Sequence, residues 1–488
     1  MSEDIDGPWE LPRGWAWAPF ADVARVASNL VSPFDYPDLP HIAPNHIESE
    51  TGRLLPFSTV AEDGVKSPKH LFASGHILYS KIRPYLAKVV MAKFDGLCSA
   101  DMYPIATELD PGYLTLWLRS PAFTGLAANH QGRSVLPKIN KEALAKLPIP
   151  VPPLEEQRRI VNALEGQLSR LDAAAGIASQ VRSKLLAYKA SREREIVPSP
   201  QAGIAEQPLP DGWKMVRLSD ISHSSGYGTS AKCGYDGAGG AVLRIPNIQS
   251  GAINADDLKY ALDENLDLGA YKVSTGDLLI VRTNGSRDLI GRVAVSREDT
   301  EYAFASYLIR FKVKMEDAFP DWVAKVISTR PWRQLIESAA ASTAGQYNLN
   351  LKKLGSLPIP LPPLEEQRPL TAELDEIDAS VRRLTSAVDD ASLKGEALRR
   401  SLLAEAFAGR LVPQDPTDEP ADALLHRIRA EREAAGATKS RHRSPRRASA
   451  QCKRTPDTAP VPDAPPPLID APALATATQP TLDLEIPS

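Results

Sequence analysis

The sequence predicts an α+β chain: two globular mixed-β domains separated by two long, antiparallel coiled-coil helices, with a pseudo-twofold relation between the halves. Three observations predict this. Residues 147–158 read LPIPVPPLEEQR and residues 357–368 read LPIPLPPLEEQR, so one twelve-residue string recurs at an offset of 357 − 147 = 210 residues. A Pro-rich string repeated at so long a period marks a tandem duplication of whole domains. Each copy follows a region of short apolar runs broken by Gly, Asn and Pro, and each precedes a long heptad-like stretch.

Both halves open alike. Leu11-Pro12-Arg13-Gly14-Trp15 matches Leu209-Pro210-Asp211-Gly212-Trp213. The predicted order is a first domain over 1–153, a helix over 154–197, a second domain over 198–363 and a second helix over 364–412. A short helical segment follows over 413–435, with its helix at Ala421–Glu433, and then a Pro/Ala-rich tail over 436–488 that reads as disordered. Within the domains, Lys88–Met91, Asp277–Val281 and Ser306–Phe311 read as strands, and Tyr113–Arg119 and Trp322–Ile327 as short helices. Leu136–Asn140 stands at the same 210-residue offset from Gln346–Asn350.

The connectors carry helix-start signals. Pro152-Pro153 and Pro362-Pro363 suit a first helical turn, and Glu155-Glu156 and Glu365-Glu366 place negative charge at the positive end of the helix dipole. The seam of the second helix reads Leu374, Ile377, Val381, Leu384, Val388, Ala391, Gly395, Leu398, Leu402. That of the first reads Leu164, Gln167, Leu171, Ala174, Ala178, Val181, Leu185, Tyr188. Packed antiparallel, the two rods would carry a globular domain at each end.

Composition narrows the function. The chain has 488 residues, 43% hydrophobic and 24% charged, as expected of a soluble protein. No run approaches the roughly 18 apolar residues of a membrane span, and the acidic N-terminus does not resemble a signal peptide. Cys98, Cys233 and Cys452 form no CxxC pair, so a reduced, cytoplasmic protein without disulfides or a zinc site is expected. No P-loop, dinucleotide fingerprint or HExxH motif is present, and neither a metal site nor catalytic residues are expected. Lys and Arg against Asp and Glu give 14 − 16 = −2 for residues 1–153 and 18 − 18 = 0 for 198–363. Any DNA-binding charge must therefore be concentrated on one face or shared with a partner.

Recognition is the remaining option. Base contacts favour Arg, Lys, Asn, Gln, Ser and Thr on positioned loops. The second domain offers Tyr227, Thr229, Ser230 and Lys232, then Arg282, Asn284 and Arg287, then Thr343, Gln346 and Asn348. The first offers Lys81, Arg83 and Tyr85, then Arg133, Ser134 and Lys138. A basic cluster at Arg441, Arg443, Arg446 and Arg447 reads as a solvated tail. The rival class is a structural adaptor, with duplicated protein-binding domains on a coiled coil.

The doubled LPIPxPPLEEQR before a long helix, the two LPxGW openings, the Tyr227-Gly228-Thr229-Ser230 loop and the ending Ala406–Pro416 resemble the specificity subunit of type I restriction-modification systems. The resemblance implies two target-recognition domains, each reading one half of a split, asymmetric site on double-stranded DNA, with the helices as a ruler. It implies a non-catalytic subunit holding two modification subunits, adenine-N6 methyltransferases using S-adenosylmethionine, and joined by an ATP- and Mg-dependent restriction subunit that translocates and cuts. It also implies partner contacts at the repeated connectors, through Leu154, Glu155, Gln157, Arg158, Leu364, Glu365, Gln367 and Arg368, and at Phe407. The tail beyond 436 and the end of the first helix depart from the family pattern.

Overall fold

The computed structural model describes residues 7–129, 137–201, 208–249, 251–343 and 346–441. The repeated string is first of all a strand. Pro148–Val151 pairs antiparallel with Ala16–Pro19, and Pro358–Leu361 pairs with Lys214–Arg217 in the same register. Alternating prolines are tolerated because each ribbon has only two strands, so the missing N–H groups face away from the ladder. Ile149, Val151 and Ile359 are fully buried, the period-2 face of the strand.

In the first domain, α1 (Phe20–Val23) leads into two four-stranded sheets. One is ordered Ala24–Val26, Met102–Thr107, Ile77–Ser80, Val89–Met91; the other Leu30–Val31, Lys69–Phe72, Gly96–Cys98, His41–Ile42. Then come α2 (Pro111–Arg119), α3 (Pro121–Asn129) and α4 (Lys141–Lys146). After α5 (Leu154–Ile196), the second domain builds a six-stranded sheet around Asp277–Val281. A four-stranded sheet contains Ala241–Leu243 and Ala303–Phe304, and a three-stranded one is ordered Thr283–Asn284, Gln346–Asn348, Ala341–Thr343. Its helices are α6 (Pro320–Ser328), α7 (Arg330–Ala339) and α8 (Leu351–Gly355). The expected strand at Ser306–Phe311 begins two residues later, at Leu308, because Ser306 and Tyr307 form a turn.

The domains clamp their connectors in equivalent ways. The Tyr113 hydroxyl donates to the Pro150 carbonyl at 2.7 Å, and Trp322 Nε1 donates to that of Pro360 at 2.9 Å. Pro153 and Pro363 cap α5 and α9 (Leu364–Phe407), whose 43 and 44 residues make rods of about 65 Å at 1.5 Å per residue.

The rods are antiparallel. Asp172 pairs with Arg399, Arg182 with Asp389, Lys189 with Asp378 (2.7 Å) and Arg192 with Glu373 (2.7 Å), so numbers rise along one helix as they fall along the other. The predicted seam is correct at every seventh residue: Leu164, Leu171, Ala178 and Leu185 face inward, as do Leu374, Val381, Val388 and Gly395. Its second set is correct at Ile377, which is buried, and one residue early elsewhere: Gln167, Ala174, Val181 and Tyr188 are exposed, as are Leu384, Ala391 and Leu398. The inward second set is Leu168, Lys189 and Ile196 on the first helix with Ile377, Asp378, Thr385, Ser392 and Arg399 on the second. Lys189, Asp378 and Arg399 are charged and paired across the helices, so apolar spacing does not mark them.

α9 ends at Phe407 rather than 412, with Gly409 at φ 69° turning the chain away. Phe407, Ala421, Leu424, Leu425 and Ile428 complete the core of the first domain. Ala421 N–H donates to the Gly14 carbonyl at 3.0 Å, and Arg159 pairs with Asp418 at 2.6 Å. α10 (Ala421–Arg441) continues past the predicted end at Glu433 into the stretch read as disordered tail; the rest of that tail lies outside the described residues. No helix among the described residues is long and apolar enough to cross a membrane.

Candidate nucleic-acid interface

In each domain three segments distant in sequence meet. The first follows a central strand, the second is a tight turn before another strand, and the third precedes a short Asn-capped helix. In the first domain Lys81 N–H donates to the Asp101 carbonyl (3.0 Å), and the Lys81 carbonyl accepts from Ile139 N–H (3.0 Å). In the second, Arg282 N–H donates to the Tyr307 carbonyl (2.9 Å), and its carbonyl accepts from Leu349 N–H (2.8 Å). The Asn140 and Asn350 side chains cap α4 and α8, accepting from Ala143 N–H at 2.7 Å and Lys353 N–H at 2.8 Å. The 210-residue offset between Leu136–Asn140 and Gln346–Asn350 therefore reflects real equivalence. The turn residues Asp101 and Tyr307 escaped sequence reasoning, because no local pattern links them to Lys81 and Arg282.

The first domain presents Arg83 exposed at φ 47°, a left-handed conformation uncommon away from glycine. Tyr85 is half-exposed in the turn that follows. Lys138 pairs with Asp101 at 3.2 Å, and Lys81 Nζ lies 5.5 Å from the Tyr103 ring. Burial pushes the Tyr103 phenol up, so this cation faces a neutral ring. Arg133 and Ser134 lie outside the described residues.

In the second domain Tyr227 is half-exposed and its hydroxyl accepts from Leu351 N–H at 3.1 Å. The Arg282 guanidinium stacks 4.9 Å from that ring and donates to the carbonyls of Leu349 (3.2 Å) and Ser306 (3.3 Å), so it braces the loops. Ser230, Lys232 and Arg287 are exposed. Asn284 is half-buried, its side-chain oxygen accepting from Ser286 N–H at 2.7 Å, and Asn348 pairs with Thr283 in the ladder. Thr343 and Gln346 face each other in the hairpin; their side chains lie outside the described set. Thr229 is a correction: it is 7% exposed, and its hydroxyl accepts from Ala231 N–H, holding the loop instead of facing outward.

The sequence also overlooked Tyr235, which is exposed with Lys259 Nζ 4.8 Å from its ring. Its Gly-rich loop can lie close to the neighbouring strand because a Cβ at Gly237 would stand 2.4 Å from the Tyr260 carbonyl oxygen.

At the connectors Leu154 is half-buried, whereas Glu155, Arg158, Leu364, Glu365 and Arg368 are exposed, Arg368 stacking 4.4 Å from the Phe319 ring. Three proposed partner contacts are corrected. Gln157 and Gln367 are fully buried: Gln157 accepts from Asp110 N–H (2.9 Å) and donates to the Pro152 carbonyl (2.9 Å). Gln367 accepts from Phe319 N–H (2.6 Å) and donates to the Pro362 carbonyl (3.0 Å). Each closes its own domain onto the helix start. Phe407 is 1% exposed, its ring 4.9 Å from that of Trp117, and belongs to the core.

Two domains with one scaffold and different surface side chains, joined by antiparallel rods, define a class of paired recognition modules. The family model for the type I restriction modification DNA specificity domain matches residues 14–181 and 210–387, one match per half. The chain belongs to this family. It is 50% identical over 175 residues to the type I restriction enzyme EcoDI specificity subunit of Escherichia coli, a match spanning 36% of this chain and 39% of that protein. It is 24% identical over 465 residues to the EcoKI specificity subunit of Escherichia coli strain K12, spanning 88% of this chain and 98% of that one. A chain from a solved type I R-M system, studied for complex assembly and conformational transition, superposes with a TM-score of 0.63 at 22% identity. That superposition covers 83% of this chain and all of the other.

Proposed function

We propose that this chain is the DNA sequence-specificity subunit of a type I restriction-modification complex, each domain reading one half of a bipartite, asymmetric site. The observation that carries this is the shared backbone frame around Lys81 and Arg282, on which the two domains display different side chains. A constant frame with variable tips suits two readers of two sequences. In this reading the antiparallel rods set the spacer, and the exposed connector residues Leu364, Glu155 with Glu365, and Arg158 with Arg368 contact two modification subunits. S-adenosylmethionine chemistry belongs to those subunits, and ATP and Mg to a restriction subunit. No step of either reaction requires a group on this chain.

The test is reconstitution with the modification subunit, followed by mapping of methylated adenines by long-read sequencing. The expected result is one two-part asymmetric sequence with a fixed spacer. A matched heptad inserted in both rods adds about 10 Å and should lengthen that spacer by about three base pairs at roughly 3.4 Å each. Methylation without sequence preference, or a spacer indifferent to the insertion in a folded complex, contradicts the reading.

A further inference from the structure

The hydrogen bonds shared by the two domains align a position that sequence comparison does not. Ser99 N–H donates to the Ile42 carbonyl (2.8 Å) and Met102 N–H to that of Ser99 (2.9 Å), closing a turn whose last residue, Asp101, receives the Lys81 N–H. In the second domain Ala305 N–H donates to the Leu243 carbonyl (2.9 Å) and Leu308 N–H to that of Ala305 (2.9 Å). Tyr307 there receives the Arg282 N–H. The two turns are thus held at the same three points, and Asp101 and Tyr307 are equivalent.

Their chemistry differs while their setting does not. The Asp101 side chain is 42% exposed, and Tyr307 is 52% exposed, so neither serves a core. A large aromatic displayed on a turn pinned at three points is pre-organised for contact, with few rotatable bonds left to order. Ser306 N–H donates to the Thr229 carbonyl at 2.8 Å, and the Ser306 carbonyl accepts from the Arg282 guanidinium. Tyr307 therefore stands between the Tyr227–Lys232 loop and the Arg282 loop. Asp101 stands between Lys81 and Lys138. A carboxylate repels phosphate and only accepts hydrogen bonds, so on a DNA-facing surface it suits a base edge that offers an amine.

We propose that Asp101 and Tyr307 are the same base-reading position in two domains: Asp101 selects a base with a groove-edge amine in one half-site, and Tyr307 uses its hydroxyl and ring on a base of the other. This rests on the DNA-specificity reading above. The experiment uses the complete methylating complex carrying Asp101→Asn, Tyr307→Ala or Tyr307→Phe. Both sites are solvent-facing, and thermal unfolding of each variant confirms the fold. Methylation is measured on a library with every base of the site varied singly.

Asp101→Asn lowers discrimination at a base of one half by about tenfold or more, and Tyr307→Ala does so in the other half, with the spacer unchanged. Tyr307→Phe separates hydroxyl from ring by retaining part of the Tyr307→Ala loss. Unchanged discrimination in both Asp101→Asn and Tyr307→Ala overturns the inference. So does an effect of both on the same half, or a uniform loss of methylation with no change in sequence preference. If the unaltered complex has no two-part preference, the functional reading fails as well; if it has one that the variants leave intact, this inference alone fails.

Discussion

Replacing Gln367 with Leu tests whether the repeated Glu-Glu-Gln of the connector is a clasp or a docking point. The side chain is fully buried; it accepts from Phe319 N–H at 2.6 Å and donates to the carbonyls of Pro362 at 3.0 Å and Asp317 at 3.3 Å. Leucine fills nearly the same volume, so packing changes little. The cost comes from the Phe319 N–H and the Pro362 carbonyl left without these partners, with the longer bond to Asp317 lost as well. Each of the first two costs about 1–3 kcal/mol, or about 2–6 kcal/mol together. For a domain of this size that lowers the melting temperature by roughly 4–24 °C. Gln157→Leu strands Asp110 N–H and the Pro152 carbonyl in the same way, and with no shared partner the two losses should add. Differential scanning calorimetry measures the loss, and a titration below the transition measures affinity for the modification subunit. The clasp account expects a lowered melting temperature with unchanged affinity. An unchanged melting temperature with lost affinity would refute it and restore these residues as partner contacts.

Further outcomes follow from the packing. Phe407→Ala removes a ring packed against Trp117 and Tyr113 and should cost about 3–5 kcal/mol in urea unfolding; a loss below 1 kcal/mol would mean that the helix end does not belong to the core. Leu398→Glu and Leu384→Glu lie on exposed faces of α9 and should change stability by less than about 0.5 kcal/mol. Leu171→Glu, in the seam, should destabilise severely; equally severe losses from Leu384→Glu and Leu398→Glu would restore the predicted seam. Burial alone would raise the Asp378 carboxyl, but hydrogen bonds from Lys189 and Lys325 hold it below its usual 3.8. A depressed folded-state value contributes stability above the unfolded value that is lost as pH falls through the folded one. The stability gap between the wild type and Asp378→Asn should therefore be full at pH 6 and shrink below about pH 3.8; a gap unchanged at pH 3 would contradict this.

The sequence made some features legible for identifiable reasons. The connectors were clear because Pro-Pro followed by Glu-Glu is a local helix-start signal, and α5 and α9 begin beside it. One seam set was clear because Leu164, Leu171, Leu374 and Val381 are apolar at seven-residue spacing. The other was not, because its inward positions include Lys189, Asp378 and Arg399, whose burial is compensated by partners on the opposite helix. Gln157 and Gln367 looked like surface residues because a polar side chain shows no sign of burial until its partners, 47 and 48 residues away, are known. At the candidate interface, Arg282 stands out by its charge and its place after the Asp277–Val281 strand, and Lys81 by its charge. Asp101 and Tyr307 do not, since only long-range backbone bonds place them beside those cations.

The most direct test of the central claim exchanges residues 209–356 for the corresponding segment of another specificity subunit, keeping the first opening, both connectors and both rods. Methylated adenines are then mapped across a genome by long-read sequencing. Two independent readers on a common frame predict that one half of the recognised sequence changes to that of the donor, while the other half and the spacer stay as they were. A change in both halves, or in neither, from a folded and methylating complex would contradict the account.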